Sequence, residues 1–409
     1  MIQGNDVDMA RRKPLTKPGF PKMQPIDGVR LATVACGVAY TGRTDLMLVE
    51  LQKGTQVAGV FTRSLTASAP VKWCRSILPG GKARAIVVNA GNANAFTGRA
   101  GDDIVRATAK RAAEVIGCRE KEVFVASTGV IGQSFSPKLI PGKIAGLHKR
   151  ARPGRWDEAA AAIMTTDSVP KGMVRTARIS DATVTINGIG KGTQMIHPDL
   201  ATTLNFLFTD AKIPAPVLQK CLAYAAGRSF NCITVEGDTS TSDSLFLSAT
   251  GAAGNPRITD HQDPRLKDFR RILLEVCVGL SQAIVRDAEG ASRFVTLHVT
   301  GAASFQAARK IGRTIASATL FKVSIAETLP PWGRMIMAVG KSGERADRDS
   351  LDIDVGGIPV AREGAVIDGY DAAAVAAHLK GSEIELSIDV GIGRGKATVW
   401  TSDRSKGYG

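Results

Sequence analysis

Gly190-Lys191-Gly192-Thr193-Gln194-Met195-Ile196-His197-Pro198-Asp199-Leu200-Ala201-Thr202-Thr203-Leu204 joins two stretches that read as β-strands. Before it, Ala182 to Ile186 alternates like a strand; after it, Leu204 to Phe208 is apolar and β-like. Its glycines, Gly188-Ile189-Gly190-Lys191-Gly192, spell G-x-G-x-G, with Thr193 where a dinucleotide fingerprint needs its third glycine. The loop therefore reads as a structural turn. So does Gly340-Lys341-Ser342, because Met335 stands where a phosphate loop has its first glycine. Outward from this stretch, Ala85 to Val88 and Val123 to Val125 read as buried strands, the first ending in a small-residue loop, Asn89 to Asn94, and the second followed by a turn of small residues, Ser127-Thr128-Gly129. Arg293 to Thr300, Glu383 to Val390 and Ala397 to Trp400 read as further strands. Asp102 to Ile116, Trp156 to Met164, Pro216 to Arg228, Phe269 to Arg286 and Asp371 to Lys380 read as helices. Strands and helices mix without a βαβ repeat, so the expected class is α/β, built as layers of mixed sheets and helices and not as a doubly wound sheet.

Composition narrows the function. The chain has 409 residues, a net charge of +15, 22% charged and 44% hydrophobic residues, an ordinary globular balance. Its basic residues are dispersed and its aromatics are only 5%, which argues against nucleic-acid binding and for a solvated basic surface. No apolar run approaches the roughly 20 residues of a membrane span, and the first residues carry no secretory core, so the expected compartment is the cytoplasm. Residues 1–27 are polar and rich in Pro and Lys, and read as a loose leader. The six cysteines never form C-x-x-C and the five histidines are scattered, so neither disulfides nor a metal site is expected. No G-x-S-x-G elbow is present.

Several motifs stand in a fixed order: Val88 to Ala95 (V-N-A-G-N-A-N-A), Ala126 to Gly132 (A-S-T-G-V-I-G), Met164-Thr165-Thr166-Asp167, Gly190 to Leu204, Ser229-Phe230-Asn231, Gly237-Asp238-Thr239-Ser240-Thr241, Asp287-Ala288-Glu289-Gly290-Ala291 and Pro331-Trp332-Gly333-Arg334. Together, over roughly residues 27–408, they resemble the ornithine acetyltransferase (glutamate N-acetyltransferase) family of arginine biosynthesis. There a K-G-x-G-M-x-x-P stretch leads to an A-T-M-L self-cleavage core. The resemblance implies an α/β fold of two interlocked autoproteolytic pieces, 28–201 and 202–409, usually assembled as a heterotetramer. It implies scission between Ala201 and Thr202, Thr202 as the N-terminal nucleophile, Thr128 and Gly129 as the oxyanion hole, and Thr165, Lys191, Thr202 and Glu289 as substrate contacts. The substrates would be N2-acetylornithine and glutamate. No metal or bound cofactor is implied, and some members also accept acetyl-CoA.

The chemistry is coherent. A threonine hydroxyl needs a base, and scission before Thr202 frees an α-amine whose ordinary pKa, roughly 7.7–8.0, leaves a neutral fraction near pH 7. A lysine suits an α-carboxylate and a glutamate suits an amino group. Without the resemblance, Thr202 reads as a strand threonine, Thr128-Gly129 as an ordinary turn, Lys191 as a loop charge and Glu289 as a partner of Arg286 or Arg293. Two other readings stay open: an N-terminal-nucleophile amidase or aminopeptidase with water as acceptor, and a non-catalytic family member. The sequence departs from the pattern at Thr203, which admits cleavage one residue later, at Ser242, where an asparagine is usual, and at Thr328 to Pro331. Family members also run past the Gly407-Tyr408 pair into an I-N-x-x-Y-R-S/T tail, so the expectation is a shortened C-terminal tail lacking two polar substrate contacts.

Overall fold

The computed structural model describes residues 15–196 and 203–403. The chain forms two compact units, one of residues 18–231 and 238–284, the other of residues 1–17, 232–237 and 285–409. Both are mixed α/β, as the sequence pattern implies.

The first unit holds two sheets. One contains β1 (Val29–Val34), β2 (Leu46–Leu51), β4 (Ala85–Asn92) and β5 (Val123–Val130), in that order. The other runs β3 (Gln56–Phe61), β9 (Ser244–Ala249), β8 (Leu204–Thr209), β7 (Ala182–Lys191) and β6 (Lys171–Ile179). All eight residues of β4 are buried, which is why it reads as a continuous apolar run and not an alternation. Its side chains still alternate in direction. Ile86 and Val88 join Phe124, Phe206, Phe208 and Phe246 in a core shared by the two sheets. Ala85 and Val87 join Val105, Ala109, Ala112, Ile144 and Leu147 from the helices Gly98–Ile116 and Pro141–Arg150. Phe246 stacks on Phe206, with centroids 5.7 Å apart, and meets Phe124 edge-on at 5.6 Å. The helix Lys267–Arg286 covers the second sheet's outer face: a Cβ on Gly188 would meet Leu280 and Val276, so glycine there admits close helix–strand packing. The layers are helix, sheet, sheet, helix.

Three expectations need correction. The stretch Gly188 to Gly192 is no turn up to Lys191: it is the end of β7, paired with β8 from Ile186↔Thr209 to Lys191↔Leu204. Gly340 and Lys341 belong to the helix Trp332–Lys341, with Ser342 as its C-cap. The leader is also not loose where it is described. Met23 and Ile26 are buried in the inter-sheet core, and the Gln24 carbonyl accepts from Trp156 Nε1 (3.0 Å) and Asn187 Nδ2 (2.7 Å). This segment lacks helix or strand because its backbone is held by side chains of other elements. The expected leader's first 14 residues lie outside the described ones.

The second unit is a six-stranded sheet in the order β13 (Ala365–Val366), β12 (Ile358–Arg362), β11 (Asp352–Val355), β14 (Glu383–Asp389), β10 (Phe294–Ala302) and β15 (Gly395–Ser402). Helices Phe305–Ser317, Thr319–Ala326, Trp332–Lys341 and Ala372–Lys380 contribute Ala308, Ile311, Ile315, Phe321, Met335 and Val375 to its core. Among the described residues no helix is long and apolar enough to cross a membrane.

Candidate functional site

The sheet pairings of the first unit bring distant motifs together. β7 ends at Lys191, and β8 begins at Leu204 beside it. β4 and β5 run parallel, Ala90 opposite Thr128 and Gly91 opposite Gly129, so the two small-residue motifs lie side by side within strands, not in turns. The absence of side chains at Gly91 and Gly129 is a packing requirement. Gly129 has φ +129°, and a Cβ there would sit 2.2 Å from the Gly91 carbonyl carbon and 2.5 Å from Asn92 N. Asparagines stiffen the neighbouring backbone: Ser127 Oγ donates to Asn89 Oδ1 (2.6 Å), and Asn89 Nδ2 donates to the Asn92 carbonyl (2.9 Å).

Lys191 is the centre of the arrangement. Its side chain is buried, and Nζ donates to Thr165 Oγ1 at 2.7 Å and Thr128 Oγ1 at 3.3 Å. Nζ also lies 3.9 Å from Asp167 Oδ2. Three of the sequence-derived candidates, Lys191, Thr165 and Thr128, thus meet in one buried polar cluster. Gly129 is the neighbour of Thr128 on β5.

Asp167 organises the cluster. It accepts from Lys171 Nζ (2.6 Å), Gly192 N–H (2.8 Å) and Thr165 N–H (3.0 Å). Burial alone would raise its pKa, but Lys191 and Lys171 outweigh that and hold it at about 2. Burial pushes Lys191 down from the usual lysine range, with Asp167 opposing. Arg43 bonds the Thr165 carbonyl (3.1 Å) and the Met164 carbonyl (2.7 Å), which fixes the turn carrying Thr165. Lys171, Lys191 and Arg43 stand against Asp167 and Asp243, an excess of positive charge suited to a carboxylate.

Sequence reasoning gave no role to Lys171, Arg43, Asp243 or, despite its place in the Met164–Asp167 motif, Asp167. The acidic run ending at Ser242-Asp243 was the available signal. Asp243 is fully buried, and its Oδ1 accepts the Thr203 N–H at 2.9 Å. Ser242, in the usual asparagine's place, contacts the Thr241 hydroxyl at 3.1 Å. Glu289 belongs to the other unit and is exposed; there Arg286 pairs with Glu383 and Arg293 bonds the Ile325 and Ala326 carbonyls. Ala201, Thr202, His197 and Pro198 lie outside the described residues.

Comparison with known proteins adds an independent line. The ArgJ family model matches residues 30–409. Proteins described as arginine biosynthesis bifunctional protein ArgJ, from Mesorhizobium japonicum and from Brucella suis biovar 1, are each 50% identical over 398 residues, covering 97% of this chain and 96% of their own. A crystal structure of an arginine biosynthesis bifunctional protein ArgJ from Bacillus halodurans is 34% identical, with a TM-score of 0.47, over 49% of this chain and 94% of that one.

Proposed function

The chain belongs to the ArgJ family and is a bifunctional enzyme of arginine biosynthesis with glutamate N-acetyltransferase activity, and from that premise we propose that it works through an acetyl ester on Thr202, made available by self-cleavage between Ala201 and Thr202. In the precursor the Thr202 hydroxyl attacks the Ala201 carbonyl carbon, and the C–N bond gives way to an ester. Water then opens that ester, leaving a carboxylate on Ala201 and a free α-amine on Thr202. In each turnover the α-amine takes the hydroxyl proton while Oγ attacks the acetyl carbonyl of N2-acetylornithine. Ornithine leaves with that proton on its amine, and glutamate's amine then takes the acetyl group from the ester and departs as N-acetylglutamate.

The observation that carries this reading is the Lys191–Thr165–Thr128 cluster. It is a buried cation between two hydroxyls, beside a Thr-Gly pair whose glycine no other residue can replace without a backbone clash. Thr128 Oγ1 and Gly129 N–H would stabilise the tetrahedral oxyanion, each such donor contributing about 2.7–4 kcal/mol. Lys191 and Thr165 would hold the substrate α-carboxylate. Asp167, kept ionised at about 2, keeps Lys191 charged against the pull of burial. The pairing of β7 with β8 supports pieces that stay together after scission, because residues on both sides of the cut share one sheet. A heterotetramer of two such pairs is part of the proposal, as is acetyl-CoA as a second acetyl donor to the same hydroxyl.

Acyl-enzyme partitioning tests the reaction. Without glutamate, N2-acetylornithine should release about one equivalent of ornithine per site and stop; glutamate should restore turnover and appear as N-acetylglutamate. Steady release of acetate without glutamate would instead identify an amidase.

A further inference from the structure

Residues 35–45, the loop between β1 and β2, form neither helix nor strand, yet they are firmly built. Asp45, fully buried at the end of the loop, accepts the N–H groups of Cys36 (2.5 Å), Gly37 (3.1 Å) and Val38 (2.9 Å). Its own N–H donates to the Val34 carbonyl at 3.2 Å. One side chain thereby satisfies three backbone donors that lie outside any strand pairing. A loop tied down in this way can hold a side chain at a fixed place.

The loop also touches both sides of the Lys191 cluster. On β4, the Ala90 N–H donates to the Asp45 carbonyl at 2.8 Å. A Cβ on Gly91 would stand 2.7 Å from Ala39 Cβ and 2.9 Å from the Tyr40 ring, so the loop fills the space that this glycine leaves. Ala90 and Gly91 lie opposite Thr128 and Gly129. Across the cluster, Arg43 spans two carbonyls that follow the helix Trp156–Ala162: Nη2 donates to that of Met164 and Nη1 to that of Thr165. Its guanidinium lies over the Tyr40 ring, 4.5 Å from the centroid. Asp167 takes the Thr165 N–H, so residue 165 is held at both ends, and its hydroxyl is left for Lys191 Nζ. The Arg43 charge is also felt at Lys191: burial above all, with Lys171 and Arg43 adding, lowers that ammonium's pKa against the pull of Asp167 and Asp243.

We propose that Arg43 is the positioning residue of the carboxylate subsite. It clamps residue 165 from the carbonyl side, so that the Thr165 hydroxyl and Lys191 Nζ meet one substrate carboxylate as a pair, and Asp45 holds the loop that carries the clamp. The inference rests on the reading of Lys191 and Thr165 given above. A carboxylate that takes no part in the bond changes is gripped equally before and during acetyl transfer, so loosening the clamp raises KM and leaves kcat. Two carbonyls side by side call for the planar fork of an arginine; a lysine ammonium in its place is a single point charge.

The test uses Arg43→Ala and Arg43→Lys in the full-length protein. Calorimetry with ornithine reads the carboxylate subsite apart from acetyl transfer, steady-state kinetics with N2-acetylornithine separate KM from kcat, and thermal unfolding reads the fold. Arg43→Ala should raise the ornithine Kd and the KM about tenfold or more, with kcat within about threefold of wild type. Ethylguanidinium ion, at a concentration too low to unfold the protein, should restore binding about threefold or more, which a defect of folding would not allow. Arg43→Lys keeps the charge without the fork and should still weaken ornithine binding about threefold or more. A wild-type Kd in Arg43→Ala, a fall in kcat as large as the rise in KM, or no response to ethylguanidinium overturns the idea. Should Arg43→Ala fail to fold, Arg43→Lys decides alone, and a wild-type Kd there overturns it. A wild-type protein that binds ornithine without acylating Thr202 sinks the Thr202 reading and leaves this inference standing; one that binds no ornithine sinks the carboxylate subsite and this inference with it.

Discussion

Replacing Gly129 by alanine probes the contact on which the candidate oxyanion hole depends. At φ +129° an L-residue is strained by about 1–3 kcal/mol. The new methyl would lie 2.2 Å from the Gly91 carbonyl carbon, against about 3.5–4.0 Å for ordinary carbon contacts, and 2.5 Å from Gly91 O and Asn92 N. All three are backbone atoms of β4, so no side chain can swing aside. The strands must part by about 1 Å or more, adding an overpacking cost of about 1–3 kcal/mol. The expected loss of stability is about 2–6 kcal/mol in total. A shift of about 1 Å in a donor pair costs on the order of 100-fold in rate. Urea unfolding followed by fluorescence reads the first, and time-resolved intact mass and ornithine release read the second. An alanine variant with the wild-type midpoint and wild-type turnover would refute the reasoning that this site is built on a glycine-only approach of two strands.

Lys191→Met should raise the KM for N2-acetylornithine about 10- to 150-fold, the equivalent of losing a charged hydrogen bond of about 1.5–3 kcal/mol, and initial-rate kinetics check it. Ile26→Ala should lower the urea midpoint by the equivalent of about 2–5 kcal/mol, because Ile26 is core and not leader; a neutral result would restore the loose-leader reading. Lys322, buried and bonded to Thr401 Oγ1 and the Ser402 carbonyl, has its pKa pushed down to about 8 by burial. Between about 8 and the unfolded value near 10.4 the unfolded chain holds a proton the folded one has released, so this group adds stability as pH rises, about 3 kcal/mol across the window. Urea midpoints from pH 7.5 to 10.5 should therefore climb less steeply, relative to wild type, in Lys322→Met.

What could be read from the sequence was local. Strand β4 and the start of β5 were legible because burial on both faces produces unbroken apolar runs, and the helix Trp156–Ala162 because its pattern has the helical period. The helix Phe305–Ser317 escaped although Ala308, Ile311 and Ile315 line one side, since Arg309, Lys310 and Arg313 interrupt them in the linear sequence. The glycines of β7 read as a turn because glycine usually marks one; here they make room for Leu280 and Asn205. At the site, the motif residues were recognisable but their company was not. Lys191 reaches Thr128 across 63 residues, and Asp243 reaches Thr203 across 40. Such contacts are set by the parallel pairing of β4 with β5 and of β8 with β9, which short-range pattern does not encode. Asp167 and Lys171 carry an ordinary i, i+4 ion-pair spacing, and only burial turns them into the support of the Lys191 cluster.

The most direct measurement is the intact mass of freshly purified wild-type protein, before and after incubation with N2-acetylornithine in the absence of glutamate. Two fragments divided between Ala201 and Thr202 are expected, the second gaining one acetyl group that maps to the Thr202 hydroxyl, with one uncut chain for Thr202→Ala. A single uncut wild-type chain, or an acetyl group carried elsewhere, would contradict the Thr202 reading.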